Sequence, residues 1–82
     1  MITKNDLIVP CLTDIIIAVK KAKDKHPVFA RNFFHAVSLA TEELGEFAKA
    51  VNDNDIEQAK REALDTIAVL VRFIELADED KN

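Results

Sequence analysis

Apolar residues recur along this chain at three-and-four spacing, the mark of amphipathic helices, and nowhere alternate as a half-buried strand would. Leu12, Ile15 or Ile16, Val19 and Ala22 outline a first helix that runs to the vicinity of Lys23. Thr3 and Asp6 are spaced like a capping box with Asp in place of Glu. Pro10 has to lie in the first turn or kink the helix, so the start falls between residues 3 and 9. "KDKHPV" ends it, because Pro27 disfavours helical geometry at His26. From Val28 onward, Phe33, Val37, Ala40, Leu44, Phe47 and Val51 form one seam, predicting a second helix of about 24 residues and roughly 36 Å. "NDND", residues 52–55, reads as a polar turn whose Asn and Asp side chains cap the next helix. That third helix, from about Asp55 to Ala77, carries the seam Ile56, Ala59, Ala63, Ile67, Leu70, Ile74 and Ala77, and "DEDKN" is expected to fray.

Composition supports an all-α fold: 49% of the 82 residues are hydrophobic and 32% charged, with one Gly and two Pro to break helices. Residues 1–82 read as a single domain, an antiparallel bundle of three main helices. A domain this small buries only about 60% of its unfolded surface, so further copies of the chain are expected to complete it. The net charge of -4 argues against binding a nucleic-acid polymer, since phosphate contacts without a metal need clustered Lys and Arg. "DIIIAV" is too short to span a bilayer, which takes about 20 residues, so no membrane partner is expected. "MITKNDLIVPCL" lacks signal-peptide features and the lone Cys11 allows no internal disulfide, so the cytoplasm is the expected location. Cys11 is expected to be a small buried hydrophobe.

Charge sits in an unusual place in "TEELGEF". Glu43 and Glu46 border the seam residues Leu44 and Phe47, and Glu62 and Asp65 in "REALD" repeat the same i, i+3 spacing. In an antiparallel hairpin, facing residues share one index sum. The pairs Glu46 with Glu62 and Glu43 with Asp65 do so, which puts the hairpin axis at Asn54, inside the turn. One i, i+3 acidic pair is ordinarily a solvated face. Two pairs in matched register instead bring four carboxylates to one spot, where protons or cations have to neutralise them. An all-oxygen set suits Mg²⁺, or Mn²⁺, better than zinc, and the Glu-x-x-His of helical di-iron sites is absent.

The pattern Glu42-Glu43-x-x-Glu46, fifteen residues, then Glu62-x-x-Asp65 resembles the signature of the all-alpha, MazG-like nucleoside triphosphate pyrophosphohydrolases. "HAVSLATEELGEFAKAV" and "EALDTIAVLVRFIEL" also look like small phage and bacterial members. The resemblance covers roughly residues 28–77. It implies a four-helix-bundle core completed as a dimer or tetramer, and a nucleotide substrate split into monophosphate and pyrophosphate. It also implies that Glu43, Glu46, Glu62 and Asp65 ligate Mg²⁺, with Glu42 orienting water and Glu42 or Glu46 accepting its proton. The alternative is a non-catalytic relative that binds nucleotide or a partner chain. Longer members close over the base with a further helix or loop, so a neighbouring subunit is expected to supply that wall.

Helper groups emerge from register. Arg72 shares the stripe of Glu62, Asp65 and Val69 and is a candidate to grip phosphate, the alternative being an ion pair with Glu75 or a partner subunit. Lys49, three residues after Glu46, is a second phosphate candidate, otherwise a solvated lysine. Phe34 and His35 in "FFHA" are base-pocket candidates, while Phe33 reads as core. Lys60 and Arg61 are placed to pair with Glu57 or Asp65, and His26 reads as a loop residue. Gly45, the only glycine, suggests close approach of a helix or ligand.

Overall fold

The computed structural model describes residues 4–80 and is all-α, with no strand among them. Its helices are α1 (Lys4–Lys25), α2 (Phe33–Asn52) and α3 (Ile56–Asp80). Thr3, the capping member of the expected Thr3–Asp6 box, lies outside the described residues.

Local chemistry sets the helix ends. Asn32, in extended backbone, accepts a hydrogen bond from the His35 N–H at 2.8 Å and caps α2, which therefore begins at Phe33 rather than Val28. Residues 26–32 are non-helical, as Pro27 disfavours helical geometry at His26, and the carbonyls of His26 and Pro27 accept from Arg72. The 53–55 turn behaves as its composition predicts. Asp53 N–H returns to the Lys49 carbonyl at 2.9 Å, Asn54 takes a left-handed φ of 58°, and Asp55 Oδ1 caps α3 through the Gln58 N–H at 3.1 Å. α1 begins at Lys4, within the expected range of 3 to 9, and Pro10 lies inside it beyond the first turn. One expectation needs correction: α3 does not end near Ala77 but continues through "DED" to Asp80.

The α2–α3 hairpin is antiparallel: Phe33 meets Phe73 edge-on at 5.5 Å at its open end, while Glu46 meets Glu62 toward the turn. α1 runs parallel to α3, since Asp14 approaches Lys60 at 3.8 Å and Lys23 pairs with Glu75 at 2.8 Å. α1 packs on α3 but, among the described residues, brings no Cα within 8 Å of α2, so α3 is the middle helix and a cleft opens between the outer two. The Cα radius of gyration, 14.2 Å, exceeds the roughly 12 Å of a closed domain of this length.

About half of the expected core-seam residues are exposed. Among the described residues the buried apolar side chains are Ala36, Ala50, Ala59 and Ala68. Small side chains let the helix backbones approach; the large ones beside them, Val37, Leu44, Leu70 and Ile74, are exposed, Leu70 by 48%. Phe33, expected in the core, is 41% exposed despite its contact with Phe73. Cys11 is exposed, against the expectation of burial. At Gly45 a Cβ would meet nothing within 4 Å, so no neighbouring helix of this chain explains the glycine.

Candidate metal centre and its cleft

The hairpin brings the two acidic pairs together. One carboxylate oxygen each from Glu43, Glu62 and Asp65 lies within 4.8 Å of the others, and Glu46 is within hydrogen-bonding reach of Glu62. Their burial is uneven. Glu62 is only 9% exposed, Glu43 is half-buried, and Glu46 and Asp65 are exposed. As ionised groups, Glu43 Oε2 and Glu62 Oε2 are buried acceptors without a donor among the described residues. An orphaned carboxylate oxygen is costly in a dry site, so it calls for a proton or a cation.

Titration reflects this crowding. Burial, then the charges of Glu46, Asp65, Glu62 and Glu42, push Glu43 up to about 7. Glu46 is raised chiefly because its hydrogen bond to Glu62 needs a proton between the two carboxyls, and then by the Glu62 charge. Asp65 is raised by burial and by Glu62, with Lys25 pulling the other way.

These directions set a pH dependence. Each carboxyl binds its proton more tightly folded than unfolded, so its contribution to stability is full below the ordinary carboxylate range and is lost as pH rises through the folded value. The metal-free protein is therefore expected to lose stability between about pH 4.5 and 7. From Glu43 alone the loss has an upper bound of about 3 kcal/mol, lowered by solvent screening. Melting temperatures measured across this range in EDTA check it: Glu43→Gln should flatten the fall, and an equal slope in parent and variant would contradict the assignment.

Positioning of Glu62 falls to Gln58, which sequence reasoning missed. Gln58 donates its amide to Glu62 Oε1, while its own Oε1 accepts from Arg61 Nε at 3.1 Å and Nη2 at 2.6 Å. Arg61 thus holds Gln58 rather than pairing with Asp65 or Glu57, and Lys60 reaches Asp14 across to α1. The i, i+4 spacing of Gln58 and Glu62 is the sequence signal for this contact.

The centre borders a cleft of about 920 Å³. α3 supplies its floor with Leu64, Asp65, Ala68 and Arg72; α2 supplies His35, Leu39 and Glu43; α1 supplies Ile17, Lys21 and Lys25. His35 lies on the cleft, its Nδ1 accepting from the Arg31 N–H at 3.1 Å. His26, expected to be a simple loop residue, also lines it.

Other candidates are placed differently. Phe34 is 86% exposed and off the cleft, because one step from Phe33 turns it about 100° outward. Lys49, in the last turn of α2, pairs with Asp53 at 3.1 Å, also off the cleft. Glu42 is exposed and reaches the centre through its charge on Glu43 and Glu46. Arg72 is buried, 7% exposed, and neither pairs with Glu75 nor offers its fork to the open cleft. It donates to the carbonyls of Ala22 at 3.2 Å, His26 at 2.7 Å and Pro27 at 3.4 Å, and lies 5.1 Å over the Phe29 ring. A guanidinium beside the carbonyl end of α1 meets the negative pole of that helix, which explains the preference.

Compared with protein-family models, with curated proteins and with solved structures, the chain gives no significant match in any of the three. No helix among the described residues is long and apolar enough to cross a membrane.

Proposed function

We propose that this chain is a divalent-metal-dependent pyrophosphohydrolase of a nucleoside triphosphate, of the MazG-like kind, acting in the cytoplasm as a homo-oligomer. The acidic centre carries this reading. Carboxylates from two facing helices surround Glu62, whose buried Oε2 lacks a donor, and an oxygen-only donor set fits Mg²⁺ or Mn²⁺. Glu43, Glu46, Glu62 and Asp65 would hold the ion.

Bound there, Mg²⁺ would offset triphosphate charge and make a water acidic enough to attack the α-phosphorus. The chain's own groups account for the rest. Water oxygen bonds to the α-phosphorus as the α–β bridging bond breaks, giving monophosphate and pyrophosphate. Glu46, exposed beside Glu62 and held above the ordinary carboxylate range by it, is suited to accept the water's proton. Gln58 keeps Glu62 aimed inward, and Glu42 adds negative charge that favours a cation at the centre.

The exposed apolar face supports self-association. Val37, Leu44, Leu70 and Ile74 are exposed, and Val37 and Leu70 line an apolar hollow of about 140 Å³ together with Ala36, Ala40, Val69 and Phe73. A second hairpin laid on this face would complete a four-helix core, as a dimer or as half of a tetramer.

The test is pyrophosphate release from a panel of ordinary and damaged nucleotides with Mg²⁺ or Mn²⁺, alongside sedimentation of the parent and of Leu70→Asp. Release that stops with EDTA, from a parent at least dimeric and a variant shifted toward monomer, is expected. Silence across the panel would overturn the enzymatic reading in favour of a binding module.

A further inference from the structure

The carboxylate centre lies on one side of the cleft and α1 forms the other. Asp14, Ile17, Ala18, Lys21, Ala22 and Lys25, at three-and-four spacing, turn one stripe of α1 toward it. The lysines of this helix are not equivalent. Lys23, off the stripe, is tied to Glu75 at 2.8 Å. Lys21 and Lys25 line the cleft and form no ion pair within 4.0 Å among the described residues. The Lys25 charge is nevertheless felt at Asp65 across the opening. Arg72 fixes this end of α1 by taking the carbonyls of Ala22 and His26, on either side of Lys25. The register of these lysines with Ile17 and Ala18 is visible in the sequence; their approach to α3 is not.

We infer that Lys21 and Lys25 form the anion subsite of the cleft, taking the phosphate oxygens of a metal-bound triphosphate chain whose other side rests on the Glu43–Glu62–Asp65 centre. This rests on the metal reading of that centre. A triphosphate carries about four negative charges near neutral pH and one divalent ion offsets two, so about two remain, which two ammonium groups match. A chain of net charge -4 repels such an anion unless cations line its path. Lysine suits the task because its ammonium is a point charge on a flexible stem that can follow a phosphate chain, whereas the Arg72 fork is committed to backbone carbonyls. The contacts are to the chain common to all nucleoside triphosphates, so the subsite should not distinguish bases.

The experiment is binding at pH 8, in two stages, for the parent, Lys21→Ala/Lys25→Ala and Lys21→Arg/Lys25→Arg. Mn²⁺ alone is titrated first, monitored by electron paramagnetic resonance. Inorganic tripolyphosphate and an α,β-methylene nucleoside triphosphate are then titrated calorimetrically onto the Mn²⁺-loaded proteins. The double alanine variant should keep Mn²⁺ binding and helical circular dichroism, yet lose roughly tenfold or more in affinity for both anions by a similar factor. The double arginine variant should recover most of it. Unchanged anion affinity in an alanine variant that still binds Mn²⁺ would overturn the subsite while leaving the metal centre standing. A parent that takes the nucleotide analogue but not tripolyphosphate would also overturn it. A parent that binds no Mn²⁺ would overturn the metal reading, and the subsite with it.

Discussion

Glu62→Gln is expected to lower the proposed Mg²⁺-dependent pyrophosphate release by well over about 100-fold, and at the same time to raise the melting temperature of the metal-free protein. The first effect comes from position. Glu62 is the most buried member of the centre and neighbours Glu43, Glu46 and Asp65, so its loss removes the carboxylate that joins the others. Outer-shell partners of metal ligands typically cost 10–100-fold when removed, and a ligand should cost more. The second effect has the opposite sign because, without a cation, Glu62 is a buried negative charge among negative charges. Gln keeps the shape and the Gln58 contact while removing that charge, and relief of about 1 kcal/mol would shift the melting temperature of a domain this size by roughly 4–8 °C. Activity assays and melts in EDTA read the two effects separately. A variant both inactive and less stable would point to a structural role instead.

Arg72→Ala is expected to be the most destabilising single change, about 2–4 kcal/mol and a fall in melting temperature on the order of 10 °C or more. Its guanidinium links the middle of α3 to the end of α1 and to the non-helical 26–32 segment through three carbonyls, and covers Phe29. Truncation leaves carbonyl acceptors unpaired and the negative end of α1 uncompensated. Lys in this place can keep the charge but not the fork, so Arg72→Lys should recover less than half of the loss. Thermal melts of both variants check this, and a loss under about 0.5 kcal/mol for Arg72→Ala would contradict the clamp.

Much of the fold is legible in the sequence, and the reasons differ by element. The hairpin can be derived because its turn is local: "NDND" caps its own helices, and a short turn leaves the register of Glu43 and Glu46 against Glu62 and Asp65 almost no freedom. The direction of the seams cannot, because several of their large residues, Val37, Leu44, Leu70 and Ile74 among them, stay exposed. Apolar spacing marks a face that must be covered but does not say by what, and here small alanines take the contacts inside the hairpin while Val37 and Leu70 face away. The α1 side of the cleft is hidden for another reason. Lys23 meets Glu75, and Arg72 meets Ala22, across some fifty residues, and no local pattern encodes such pairs. Nearness in sequence to the acidic motif makes Arg72 and Lys49 phosphate candidates, yet a helix end and a neighbouring Asp53 claim them first. Lys21 and Lys25, distant in sequence, face the cleft instead.

Everything functional here depends on the carboxylate centre holding a divalent cation, and a thermal melt with and without metal tests that most directly. At pH 8, millimolar Mg²⁺ should raise the melting temperature of the parent over its value in EDTA, by on the order of 10 °C if the ion is present at about 100 times its dissociation constant. The rise should shrink at pH 6, where the proton on Glu43 competes with the ion, and vanish in Glu62→Gln. An unchanged melting temperature in the parent, or the same rise in the variant, would contradict a metal at this centre.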